Sequence, residues 1–249
     1  MIFAAVPILQ PPELIPEVWP TWTRCSEELL IVDNTPDRAW EEIARLQGWS
    51  YVTFQKNIGL AGGWNIARAK FMADTKNDHD LLLLFSASVQ WLDGLDVVLD
   101  QVSAAANWKG CQGQLGFHAI AWSRRLFEIA GDFDEACWPA GFYTDNDFAW
   151  RLILAGILVA DPDPMPHVDL AVSPVENALA IRSLGVEGNY GACRDYYKAK
   201  WGGEPSHETF TTPFDSGLPT SWWSLAYRPG LEQVDIGVTR YRDGVAPSE

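Results

Sequence analysis

Three short apolar runs constrain the fold of this chain more than any other feature. Ile2 to Ile8, Glu28 to Asp33 and Asp80 to Phe85 are almost continuously hydrophobic. Runs of that length without polar alternation suit strands covered on both faces. Trp49 to Phe54 reads as a further strand. Asp37 to Gln47 has helical spacing, with Trp40, Ile43, Ala44 and Leu46 apolar, and Ile58 to Met72 carries another helix. Strands alternating with helices predict an α/β sheet with parallel neighbours. Ligands of such sheets lie beyond the carboxyl ends of the strands. Asp33, Asn57 and Ser86-Ala87-Ser88 all follow strand ends, so their polar chemistry converges on one edge.

The remaining chain is read the same way. Prolines 7, 11, 12, 16 and 20 break regular structure, so Gln10 to Thr23 is a loop with at most a short helix. Gly94 to Ala105, Ser123 to Ala130 and Asp145 to Ala155 have helical character, and Gly131 and Gly156 stop the last two. Leu115 to Trp122 and Ile157 to Ala160 read as strands. A helix over Asn189 to Trp201 stops at Gly202-Gly203. From Pro205 onward Pro, Ser, Thr and Gly rise and periodicity fades. The expected organisation is one domain over 1–204, then an irregular extension over 205–249 packed on that domain or on a partner.

Charge excludes some partners. The net charge of the 249 residues is -15. Such a surface repels phosphate backbones and disfavours nucleic acid. The cysteines, Cys25, Cys111, Cys137 and Cys193, show no C-x-x-C spacing, which suits reduced, buried thiols. No apolar run reaches the roughly 18 residues of a membrane span. Met1 to Leu9 lacks a basic start and a cleavage site and reads as a first strand. These features predict a cytoplasmic protein of open oligomeric state. Most of the 13 tryptophans belong to the core, and some suit a concave sugar site.

Asn57-Ile-Gly-Leu-Ala-Gly-Gly-Trp-Asn65 joins the Trp49–Phe54 strand to the helical spacing of Trp64 to Met72. Glycine permits close approach to the main chain, and free N–H groups at a helix start favour anions. The stretch therefore suits a nucleotide or its phosphates. The alternative is a tight turn whose glycines serve packing. It matches neither the dinucleotide fingerprint nor a phosphate loop.

A second block runs through Gly116-Phe117-His118-Ala119 and Arg124 to Gly131-Asp132-Phe133-Asp134-Glu135. It continues over Trp138-Pro139-Ala140-Gly141 and Thr144-Asp145-Asn146-Asp147-Phe148 to Arg151. With Leu30-Ile-Val-Asp-Asn34 and the glycine-rich stretch, it resembles the GT-A glycosyltransferases. More narrowly it resembles family 2, the rhamnosyl- and galactofuranosyl-transferase-like branch, over roughly Met1 to Gly203.

The resemblance implies a GT-A, Rossmann-like, mixed and mainly parallel sheet flanked by helices. It implies transfer of a sugar, with inversion, from a nucleotide-diphosphate sugar to a hydroxyl of a glycan, lipid-linked, protein or small-molecule acceptor. Asp33 matches the acid that holds the base or ribose, and Pro7 the segment against which the base packs. Asn57, Gly59, Gly62 and Asn65 match the donor-binding turn. Asp145 matches the catalytic base. For such a transfer Trp138 and Gly141 are expected on the acceptor side, with Trp138 and Trp64 bordering the acceptor or donor sugar. His167 stands where a metal-ligating histidine is common.

One departure bears on the cofactor. The resemblance implies Mn²⁺ or Mg²⁺ on the diphosphate, held by an acidic motif after the fourth strand. Here that place reads Ser86-Ala87-Ser88, with Ser88 at the ligand position. Neutral hydroxyls replace carboxylates poorly on such ions. Without the ion, Lys56, Arg68 or Arg124, or backbone N–H groups, must meet the phosphate charge. Asp145 and Asp147 are two apart and cannot share a helix face, so chemistry falls to Asp145 and support to Asp147, which can pair with Arg151 on the helix surface. The alternative for Asp145 is a helix cap. Two further functions stay open: a nucleotide-sugar-binding protein without catalysis, and a sugar transferase acting on modified nucleic-acid bases, which the charge disfavours.

Overall fold

A computed structural model describes residues 2–24, 26, 28–78, 80–92, 107–110, 118–138, 141–156, 168–170, 190–218 and 239–240. The strands are β1 (Ile2–Ile8), β2 (Glu28–Asp33), β3 (Ser50–Thr53), β4 (Leu81–Phe85), β5 (Val89–Trp91), β6 (Asn107–Gly110), β7 (Ala119–Ser123), β8 (Val168–Leu170) and β9 (Thr239–Arg240). The helices are α1 (Glu41–Gln47), α2 (Gly59–Asp74), α3 (Arg124–Ala130), α4 (Thr144–Leu154) and α5 (Tyr190–Trp201). Short 3-10 turns at Pro12–Leu14 and Trp19–Arg24 occupy the proline-broken segment. The helix expected over Gly94 to Ala105 and the strand over Ile157 to Ala160 lie outside the described residues, as does His167.

The main sheet has the order β6-β7-β4-β1-β2-β3-β9. β4, β1, β2 and β3 run parallel, as the strand–helix alternation requires. β7 is antiparallel to β4, β6 to β7, and β9 to β3. β5 and β8 form a separate antiparallel pair. Among the described residues, no helix is long and apolar enough to cross a membrane.

Both faces of the parallel strands are covered, which explains their unbroken hydrophobicity. Ala4, Val6, Ile8, Leu29, Ile31, Leu83 and Phe85 face one side, against Trp22, Trp40, Trp49 and Trp91. Trp22 stacks on Trp40 with ring centroids 5.4 Å apart. Phe3, Ala5, Leu30, Val32, Leu82 and Leu84 face the other side, against Trp64, Ala67 and Phe71 of α2 and Phe148 and Leu152 of α4. Trp122 stacks on Phe148 at 4.5 Å, and Phe133 on Phe148 at 4.4 Å. Each such buried side chain contributes about 1.5–3 kcal/mol through removal of apolar surface from water.

The helix expected over Ile58 to Met72 is α2, so Gly62 and Gly63 lie inside it rather than in a turn ahead of it. A Cβ on Gly63 would sit 2.6 Å from Pro7 Cβ, so this glycine lets α2 pack directly on β1. Asp147 and Arg151 pair as expected, but inside the protein rather than on its surface, each 2% exposed. After α5 the chain folds back: the amides of Thr209 and Phe210 both donate to the Trp201 carbonyl, and Trp150 Nε1–H donates to the Phe210 carbonyl.

Candidate functional site

Parallel pairing brings the strand tips together. Ile8 lies beside Asp33, and Asp33 beside Thr53. β4 delivers Ser86-Ala87-Ser88 to the same edge. Phe85 pairs with Ala119, and the Ser86 amide donates to the His118 carbonyl at 2.8 Å. His118 thus joins the strand tips, although the sequence assigned it no role. The sequence placed it inside a strand expected over Leu115 to Trp122, whereas β7 begins one residue after it, at Ala119. That place falls on the ligand edge only because β7 runs antiparallel.

Asp33 reaches the edge with its backbone but not with its carboxylate. The side chain is fully buried and accepts from the Thr35 amide and hydroxyl, the Trp40 amide and the Tyr51 hydroxyl. All its strong acceptor directions are engaged, so it shapes the turn after β2 rather than facing a base or ribose. Burial and then the Asp33 charge push the Tyr51 hydroxyl well above its ordinary pKa. Pro7 is likewise buried, packed against Gly63.

The start of α2 is also partly self-satisfied. Asn57 Oδ1 accepts from the Gly59 amide at 2.8 Å, and Asn34 Oδ1 from the Ile58 amide at 3.2 Å. Side-chain oxygens thus occupy two donors that a phosphate could otherwise use. Gly59 has φ 76°, a left-handed angle that glycine adopts without strain. A Cβ on Gly62 would lie 3.3 Å from Ile58 Cβ. Asn65 faces inward and holds the second motif: its amide nitrogen donates to the Phe133 carbonyl and Glu135 Oε1, and its oxygen accepts from the Phe133 amide. Trp64 lies in the core, 4.9 Å from the Phe133 ring.

The loop before α4 borders this helix start. Trp138 Nε1–H donates to the Asn57 carbonyl at 3.1 Å, and a Cβ on Gly141 would lie 3.2 Å from Leu60 Cβ. Ile58, Gly59, Gly62, Glu135, Trp138 and Gly141 line one shallow crevice. The two stretches expected to hold donor and acceptor, 81 positions apart at Asn57 and Trp138, are neighbours here.

Asp145 and Asp147 have different surroundings. Asp145 is half-buried in the first turn of α4, and its Oδ1 accepts from the Asn146 amide. Its charge acts on the His118 imidazole: burial holds that ring below its ordinary pKa, against a smaller upward pull from Asp145. Asp147 is buried and binds Arg151 and Lys200, and it accepts from Trp201 Nε1–H. Burial alone would raise its pKa, but Lys200 and Arg151 outweigh burial and hold it below the usual carboxylate range. Lys200 also bridges to Asp134 at 2.5 Å, and Thr144 donates to the Asp134 carbonyl. This network fixes the first turn of α4 against α5.

A divalent ion does not fit the described residues at the strand tips. The hydroxyls of Ser86 and Ser88 are 2.7 Å apart and bond to each other. Among the described residues, no group of three His, Cys, Asp or Glu side chains could hold an ion. Two of the expected cations are engaged elsewhere. Arg68 binds Asp132 and the Phe127 carbonyl, and Arg124 binds the Met72 and Thr75 carbonyls. Lys56 is exposed just beyond β3.

The parallel β3-β2-β1-β4 order with antiparallel β7 beside β4 defines a GT-A-type α/β fold. Among solved structures it is similar to a mannosyltransferase from Pyrobaculum calidifontis, determined with GDP-Man and Mn²⁺. The TM-score is 0.51 at 15% identity, over 76% of this chain and 65% of that one, so this chain spans about 65% of that enzyme's length. Glucosyl-3-phosphoglycerate synthase from Mycobacterium tuberculosis, with Mn²⁺ and UDP-Glc, is similar at TM-score 0.45 and 13% identity, over 76% and 80% of the two chains. A likeness of that size adds nothing to the fold assignment. No family model and no curated protein matches the sequence.

Proposed function

We propose that the chain is an inverting glycosyltransferase of the family 2 type, related to the rhamnosyl- and galactofuranosyl-transferase-like branch and working in the cytoplasm. A nucleotide-diphosphate sugar lies over the strand tips, between the α2 start and Ser86-Ala87-Ser88. The acceptor hydroxyl attacks the anomeric carbon in line, the bond to the diphosphate breaks, and Asp145 takes the hydroxyl proton. The observation that carries this reading is Asp145 itself. It is a half-buried carboxylate at a helix N-terminus, within electrostatic reach of His118 at the strand-tip edge, while Asp147 beside it is locked away by Lys200 and Arg151. The helix N-terminus favours the anion that a base must be. Lys56 and the remaining α2 amides meet the diphosphate charge.

Titration calorimetry with UDP, GDP and their sugars, with Mn²⁺ and with EDTA, tests the donor site. Nucleoside-diphosphate binding that persists in EDTA is expected. Asp145→Asn tests the base: transfer to an acceptor falls on the order of 10²–10⁴-fold while donor binding stays unchanged. Retained turnover would falsify the assignment.

The mutual hydrogen bond of Ser86 and Ser88 favours a second reading, a nucleotide-sugar-binding protein without catalysis. Tight donor binding with neither hydrolysis nor transfer on any acceptor would select it.

A further inference from the structure

Three large aromatics among the described residues are exposed: Trp138, Phe142 and Tyr190, at 61%, 36% and 55%. Phe142 and Tyr190 are in ring contact, and Trp138 stands four positions before Phe142, its crevice and the hollow beside Phe142 sharing Cys137. The other large rings among the described residues are buried or half-buried. Such clustering has a cost, because it leaves apolar surface in water beside a crevice.

The cluster is also held in shape. The Phe142 ring meets Tyr190 edge-on at 5.2 Å, and Tyr143 lies 5.4 Å from Tyr190 with the two hydroxyls 2.8 Å apart. Tyr143 adopts φ 65°, a left-handed angle that costs a non-glycine residue energy and commonly marks a functional loop. The hydrogen bond from Trp138 Nε1 to Asn57 pins one edge of the indole and leaves the ring otherwise accessible. Tyr143 is two residues from Asp145, and Cys137, next to Trp138, lines a hollow shared with Phe142 and Tyr143.

We propose that Trp138, Phe142, Tyr143 and Tyr190 form the acceptor platform and that the acceptor is an uncharged saccharide. The proposal rests on the glycosyltransferase reading and gives its acceptor a chemical class. Rigid rings with polar tips bind apolar C–H faces while their hydroxyls orient the sugar's own. The Tyr143 hydroxyl stays neutral: burial and then Tyr190 push it above its ordinary pKa. Local charge argues against an anionic acceptor: the Asp145 carboxylate stands two residues from Tyr143, beside the platform, and repels a phosphate or carboxylate placed there.

The test uses the full chain and saturation-transfer NMR with methyl glycosides and disaccharides of neutral hexoses and pentoses, against glucuronate and hexose phosphates, with and without UDP. Neutral saccharides are expected to bind. Trp138→Ala and Tyr190→Ala each weaken binding roughly tenfold without changing the melting point, and Tyr190→Phe, which keeps the ring, retains most of it. Binding of UDP without binding of any neutral saccharide overturns the platform but leaves the donor reading standing. Saccharide binding that depends on Trp138, with no binding of any nucleotide, does the reverse. Preference for hexose phosphates overturns the proposal. So does a concentration-dependent dimer that the same substitutions abolish, which gives this face to a second copy of the chain.

Discussion

The Asn65 carboxamide forms a closed pair with the backbone of Phe133, donating to its carbonyl at 2.9 Å and accepting from its amide at 2.7 Å. These residues are 68 positions apart. The pair fastens the helix that opens the candidate donor site to the loop that leads into Asp145. Asn65→Ala leaves two buried backbone groups without this partner. Each unsatisfied group costs about 1–3 kcal/mol, so a loss of about 2–6 kcal/mol is expected in urea denaturation. A loss under about 0.5 kcal/mol would show that water replaces the carboxamide at no cost.

Gly63→Ala tests the contact between α2 and β1. The added methyl carbon would stand 2.6 Å from Pro7 Cβ, an atom of a stiff ring rather than the end of a flexible side chain, so α2 and β1 must move apart. Overpacking of this kind costs about 1–3 kcal/mol, read as a lower denaturation midpoint. Helix propensity alone predicts stabilisation by alanine, so the sign separates the two effects.

Lys200 bridges two buried carboxylates, Asp134 and Asp147, and Arg151 supplies the second positive charge. Lys200→Met leaves both underpaired and should destabilise by about 3–5 kcal/mol, or prevent folding.

The same network sets a pH dependence. The pKa of Asp147 is held below its ordinary 3.8 by Lys200 and Arg151, which outweigh burial. Its stabilisation is therefore present above about pH 4 and lost as pH falls through the depressed native value. Melting curves from pH 2.5 to 6 should show this acid loss in the native chain and a shallower one in Asp147→Asn.

His118 titrates in the other direction of charge. Burial lowers its pKa from 6.5, with only partial opposition from Asp145, so the ring is neutral at pH 7. An unfolded chain takes up this proton first, and stability falls as pH drops below about 6.5. The imidazole C2 proton resonance should titrate below that value. His118→Asn should flatten the stability profile between pH 5 and 6.5. An NMR midpoint above 6.5 would mean that Asp145 outweighs burial.

Periodicity determined the class of fold. Val6, Ile31 and Leu83 are apolar because both faces of their strands are covered, and such burial leaves its mark in adjacent residues. Strand–helix alternation predicted parallel neighbours and the edge where polar tips gather, and spacing separated Asp145 from Asp147; the order β3-β2-β1-β4 came with the tertiary structure. Only the tertiary structure decided the partners. That Asp33 has its acceptors filled by Thr35, Trp40 and Tyr51, that Gly63 serves Pro7, that Asn65 clasps Phe133, and that His118 meets the strand tips all depend on groups distant in sequence. A residue's polarity says that it needs a partner when buried, but the choice of partner follows from strand direction and helix packing, which no local pattern encodes.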